Sequence, residues 1–167
     1  RGAIDRDRKR NGRVLLLGSV SPALVRGISE SLAGRLAVTE LTPFLSSELP
    51  AGSLDALWAR GGFPTGGILR AGAFPRWQED YPFLLAARDL PAWGLPATAQ
   101  TTMRLLRMLA AVHGQIWNGS EIGRSLGLSY HTVNAYVDFL EGAFLVRRLP
   151  AFHANIRKRL VKSPKVF

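Results

Sequence analysis

The residues best placed to do chemistry are Arg124, Tyr130, His131, Asn134, Arg147 and Arg148, which fall within one stretch from Asn118 to Leu149. Tyr130, His131 and Asn134 would stand on the exposed side of the first turns of a helix, where side chains meet base edges or phosphates. An asparagine carboxamide can read adenine through two hydrogen bonds. Arg124 could hold a phosphate from the preceding helix, and Arg147 and Arg148 from the strand that follows. Arg157 and Lys158 continue the same charge into a basic tail. Asp138 and Glu141 work against this picture, because acids at the end of a groove-reading helix repel phosphates.

The elements that must position these groups follow from local signals. Asn118 is a helix-capping residue, and Glu121 stands three positions later, where a carboxylate can reach back to free amides. Ile122 and Leu126 share one face, Gly127 breaks the helix, and Leu128 plugs the turn. Ser129 caps a second helix that carries Val133, Tyr136, Val137 and Leu140 at helical spacing. After Gly142, Phe144 to Pro150 has the character of a strand with its polar end turned outward. The pattern predicts a helix-turn-helix followed by a short hairpin wing, with the second helix free to enter a DNA major groove. The alternative is a winged helix that packs on a partner or on another part of its own protein.

The other titratable groups offer less. His113, His131 and His153 are isolated from one another and from carboxylates at ligand spacing, so no metal site is expected. Glu79 and Asp80 are neighbours in sequence and would not share a helix face, which rules them out as an acid–base pair. Trp58, Trp77, Trp93 and Trp117 are expected as core anchors. Without cysteine, the chain can form neither disulfides nor thiolate metal sites, which suits a cytoplasmic protein. No apolar stretch approaches the ~20 residues of a membrane helix. The charged start, Arg1 to Arg13, is no secretory signal.

The formal charge of +10 comes from 22 Lys and Arg against 12 Asp and Glu, and it is unevenly spread. Glu141 is the last acid, and seven Lys or Arg follow it. A one-sided basic end of this kind attracts a polyanion, most often nucleic acid.

Earlier in the chain, Val14 to Leu17 is a wholly apolar run of the sort buried on both faces of a parallel sheet. A helix from Ser21 to Ser31 and an alternating strand from Leu36 to Leu41 would follow, an α/β signature. Two strands are too few for a sheet of their own, so this part is expected to close a domain whose beginning is missing. Leu54 to Arg60, Phe74 to Leu90 and Thr101 to His113 are expected helices, separated by a glycine-rich stretch at Gly61 to Gly67 and by Pro91, Gly94 and Pro96.

Several of these pieces, taken in order, carry a resemblance. Gly12 to Ser19, Ser31 to Arg35 and Glu40 to Phe44 resemble the final strands of a P-loop ATPase. With Trp58, Arg60 to Pro64, Arg88 to Leu90, His113 to Gln115, Asn118, Asn155 and Lys158 to Lys165, the whole is similar to the prokaryotic AAA-type ATPases that carry a C-terminal domain of unknown function. That resemblance implies four parts of mixed α/β and mainly α character. Residues 1–50 would be a remnant of the ATPase core, 51–98 a helical connector, 99–150 the winged helix-turn-helix, and 151–167 the basic start of a truncated nuclease-like domain. It also implies that Ser19 is a γ-phosphate sensor and Arg35 an arginine finger, with ATP and Mg bound only in an intact relative. The phosphate loop and its lysine are missing, so the chain itself is expected to be non-catalytic and without a cofactor. Its expected partners are nucleic acid, the missing ATPase core or another subunit, and no membrane.

Overall fold

The computed structural model describes residues 12, 14, 15, 17, 37, 39–152 and 162–167. The chain divides into two compact units, Arg1–Thr39 and Glu40–Phe167.

Little of the first unit is described. Val14, Leu15 and Leu17 have no regular secondary structure and are exposed. This differs from the strand expected there, buried on both faces. A short apolar run becomes a buried strand only where neighbouring strands and covering helices exist to receive it. In the expected second strand, residues 37 and 39–41 are likewise irregular. Ser19, Arg35 and the helix expected over 21–31 lie outside the described residues.

The second unit is mainly helical. Among the described residues it holds six helices: α1 (Leu54–Arg60), α2 (Phe74–Leu84), α3 (Leu90–Ala92), α4 (Ala99–Ala111), α5 (Gly119–Leu126) and α6 (Tyr130–Gly142). Among the described residues strand is limited to β1 (Arg148–Leu149) and β2 (Lys165–Val166), so the mainly α character expected for this part of the chain is found. Pro75 sits in the first turn of α2, where its fixed φ is favourable and its missing N–H costs nothing. The helical path continues beyond Pro82 through a wider turn at Leu85–Asp89 into α3, and Gly94 then breaks it at φ 99°.

Capping follows the sequence closely. The side chain of Thr98 accepts the N–H of Thr101 at the start of α4. Asn118 accepts that of Glu121 at 3.2 Å, and Ser129 that of Thr132 at 3.1 Å. Gly127 closes α5 in the left-handed conformation at φ 70°. The three-residue turn passes so near α5 that a Cβ on Gly123 would lie 2.6 Å from the carbonyl oxygen of Leu128. Glycine is needed there to let the backbones meet.

The end of α6 departs from expectation. The N–H of Leu145 bonds the carbonyl of Leu140, and that of Phe144 bonds Glu141, the pairing of a Schellman cap. Its left-handed position is held by Phe144 at φ 57°, a conformation that most residues avoid. Gly142, two residues earlier, is still helical. The expected strand over Phe144 to Pro150 is therefore reduced to Arg148–Leu149.

β1 does not fold back on an adjacent strand. It pairs antiparallel with β2, Arg148 opposite Val166 and Leu149 opposite Lys165. On its other side β2 meets the segment before α5: Ile116 bridges Lys165, and the N–H of Trp117 bonds Pro164 at 2.8 Å. The last described residues thus thread between two parts of the helical unit, and Val166 is 1% exposed within the same hydrophobic core.

One core spans Leu85, Leu90 and Leu95 from the connector and Val133, Val137 and Leu140 from α6. The Tyr136 hydroxyl donates to the Pro96 carbonyl at 2.9 Å, tying α6 to the connector across the boundary expected near residue 98. Trp117 is a core anchor as expected, at 6% exposure, and Trp93 packs against the core. Trp58 is not, at 85% exposure. Leu57 and Trp58 are adjacent on α1 and cannot face the same way; Leu57 takes the partly buried side. Trp77 instead stacks on Tyr81 with ring centroids 4.5 Å apart, and Phe63 packs against both rings.

Candidate nucleic-acid interface

α5, its turn and α6 present the side chains singled out by the sequence, and the β1–β2 ladder stands beside them. Their fates diverge. Tyr130 and His131 are exposed at the start of α6, their rings edge to face with centroids 5.5 Å apart. Tyr130 leans over Gly119, where a Cβ would come within 3.1 Å of both its ring and that of Trp117. Arg124 is exposed on α5. Arg147 is exposed at the entry to β1, its backbone held to Phe167 by a reciprocal pair of 2.8 Å hydrogen bonds. Arg157 and Lys158 lie outside the described residues.

Asn134 and Arg148 are built into the protein. The Asn134 carboxamide oxygen accepts the Trp117 indole N–H at 2.9 Å and an Arg148 N–H at 3.3 Å. Its amide nitrogen donates to the Tyr130 carbonyl at 3.0 Å. Arg148 reaches back over α6. Its backbone N–H donates to Glu141 Oε1 at 2.6 Å, its Nε to Oε2 at 2.7 Å, and its Nη2 bonds both Glu141 and Asp138. Only 20% of the Arg148 side chain is exposed, against 27% for Glu141 and 58% for Asp138. Burial alone would lower the guanidinium pKa, but its hydrogen bonds to Glu141 and Asp138 outweigh that and raise it.

Asp138 and Glu141 therefore have a specific use that sequence reasoning missed. Instead of standing unpaired, they clasp Arg148 and fix β1 against α6. Spacing on α6 puts both acids on one face, three residues apart, but only the tertiary return of β1 supplies their partner. Arg124 on α5 and Arg147, Lys162 and Lys165 near the ladder remain exposed and without an ion pair among the described residues, as do Arg104 and Arg107 on α4.

Other chemistry is sparse. No cluster of three or more His, Asp or Glu able to hold a metal occurs among the described residues. A shallow cavity of about 200 Å³ opens between α4 and α5, lined by Met108, Val112, Gln115, Ile116, Glu121 and Ile122 among others. No helix among the described residues is long and apolar enough to cross a membrane.

A mainly helical unit, closed by a two-stranded ladder and basic toward its C-terminal end, is the class that fold and surface define. The chain belongs to the family described as Domain of unknown function (DUF8612), which matches residues 51–167. It is 40% identical over 156 residues to the uncharacterized protein Rv2008c of Mycobacterium tuberculosis, and equally to the uncharacterized protein Mb2031c of Mycobacterium bovis. The alignment covers 93% of this chain but 35% of each relative, so the chain spans about a third of their length. No solved structure matches the chain.

These findings overturn the resemblance to AAA-type ATPases, since neither the family nor the relatives indicate an AAA or P-loop protein. The sensor role for Ser19, the arginine-finger role for Arg35, and ATP with Mg in an intact relative rested on that resemblance alone and lose their support with it. The pieces that carried the resemblance are short apolar runs and Gly–Pro turns, which many folds share. The one element whose chemistry is specific to nucleotide binding, the phosphate loop, is absent from the sequence.

Proposed function

We propose that residues 98–167 form a winged helix-turn-helix that binds duplex DNA, with the start of α6 at the major groove and the β1–β2 ladder beside the backbone. The observation that supports this most is the order helix, bridge, helix, helix, strand, strand, with Ile116, β2 and β1 as neighbouring ladder members. That arrangement holds a second helix forward on a rigid support. Charge agrees: residues 98–167 hold ten Lys or Arg against three Asp or Glu, a net +7 suited to phosphates.

In this reading Arg124 contacts the backbone from α5, and Arg147, Lys162 and Lys165 from the ladder. Tyr130 and His131 approach the groove floor. Arg148 and Asn134 fix the angle between ladder and helix and do not touch DNA. The test is titration of a labelled duplex at two salt concentrations. Affinity that falls steeply with salt is expected; a Kd weaker than ~10⁻⁴ M without a salt slope sinks the proposal.

One observation favours a second reading, a protein-docking module. α6 carries no Lys or Arg and two acids, and α1 exposes Leu54 and Trp58. A partner surface on α6 predicts no dependence on duplex DNA at all, which the same titration separates.

A further inference from the structure

We infer that this interface reads the shape and backbone of B-form DNA and discriminates little between base sequences, an inference that rests on the DNA-binding reading above. It follows from how the polar atoms of α6 are already used. Bidentate recognition of adenine needs the Asn134 carboxamide oxygen as acceptor for the base's amino group. That oxygen is filled by two donors, Trp117 Nε1 at 2.9 Å and Arg148 Nη1 at 3.3 Å, while the amide nitrogen is held by the Tyr130 carbonyl. Releasing it would break a network that joins the start of α5, the middle of α6 and β1.

The commonest specific contact, arginine or lysine to guanine, has no source on this helix. Tyr130–Gly142 holds neither residue. Arg148, the nearest cation in the ladder, has its guanidinium bound by Glu141, Asp138 and Asn134. On the outward stripe, Ala135 offers only a methyl group, and Asp138 is engaged by Arg148 and would be repelled by neighbouring phosphates. Tyr130 and His131 are left as the exposed polar side chains at the start of this helix, and two side chains set preference at two base pairs at most. The outward cations nearest α6, Arg124, Arg147, Lys162 and Lys165, belong to α5 and to the segments of the ladder, where backbone contacts position a protein without carrying sequence information.

Three labelled 20-base-pair DNA duplexes of unrelated sequence, an RNA duplex, and a randomised DNA library subjected to rounds of binding enrichment test this with the full chain. The DNA duplexes should bind within about threefold of one another, because phosphate contacts ignore sequence. The library should yield no consensus. The RNA should bind at least about tenfold more weakly, since the A-form major groove is too narrow to receive a helix. Arg147→Ala should weaken all DNA duplexes alike and reduce the salt slope by about 1. His131→Ala, an exposed change that leaves the core untouched, should leave the ratios between duplexes within twofold.

A consensus bound ~100-fold more tightly than random DNA overturns the inference, as does loss of a preference in His131→Ala. Equal binding to RNA overturns its B-form part. Absence of binding to every duplex sinks the underlying DNA reading itself, a result distinct from binding with strong sequence preference.

Discussion

Residues 40–97 and 98–167 have net charges of opposite sign and a common interior. The first region holds four Lys or Arg against six Asp or Glu, a net −2, where the second has a net +7. Both display bare apolar groups, Leu54, Trp58 and Phe83 in the first and Ile116, Leu149 and Phe167 in the second. Yet Leu85, Leu90 and Leu95 of the first region pack in one core with Val133, Val137 and Leu140 of the second. Surface chemistry and folding unit therefore divide the chain differently. Charge can vary at positions that packing leaves exposed, whereas core membership is set by which apolar faces can be buried together.

The sharpest way to break this comparison is to open the shared core. Leu140 is fully buried on α6, and Leu140→Ala should cost about 2–5 kcal/mol, transfer and cavity terms combined. Denaturant unfolding followed by tryptophan fluorescence should show one transition moving to lower denaturant, because Trp77 and Trp117 report on opposite regions. Two separated transitions would show that the regions fold independently.

Arg148→Ala should come next, at about 2 kcal/mol, since it leaves the half-buried Glu141 without its main partner. Glu141→Gln combined with Arg148→Ala should recover part of that loss in a double-mutant cycle. Strict additivity of the two changes would mean that the clasp contributes nothing.

Trp58→Ser sharpens the contrast from the other side. Its side chain is 85% exposed, so stability should change by no more than about 0.5 kcal/mol, while binding to any protein that docks on α1 should weaken. A loss above 1 kcal/mol would mean that Trp58 is covered in solution.

The smallest effect concerns the aromatic cluster of the first region. Burial, with Asp89 nearby, raises the Tyr81 hydroxyl above its ordinary value of 10.0. The folded protein thus holds that proton more tightly than the unfolded chain does. The associated stability is fully present below about pH 10 and is lost as pH rises through the folded value. Tyr81→Phe should flatten this alkaline fall in a pH series of denaturant melts. An unchanged slope above pH 10 would place the loss in other groups.

The helical unit was legible wherever its cause is local. Asn118 and Ser129 cap as their residue types require, Gly127 takes the left-handed turn, and Val133, Val137 and Leu140 face inward at helical spacing. Each signal acts over three or four residues, within one turn of backbone. The apolar run at Val14 to Leu17 misled because a buried strand needs partners that a short pattern cannot specify. The resemblance to AAA-type ATPases fails for a related reason: its pieces are short, and the sequence lacks the phosphate loop that defines nucleotide binding.

The candidate site divides along the same line. Sequence alone marked Tyr130, His131, Asn134, Arg147 and Arg148 as neighbours with the means to meet nucleic acid, because residue type and helical spacing fix which groups exist and roughly where they stand. Tertiary structure decided which of them are available. Asn134 is taken by Trp117, seventeen residues away, and Arg148 by Glu141, seven away, once β2 returns from the far end of the chain to hold β1 in place. A side chain's partners in space depend on how distant segments close upon it, and no local pattern carries that information.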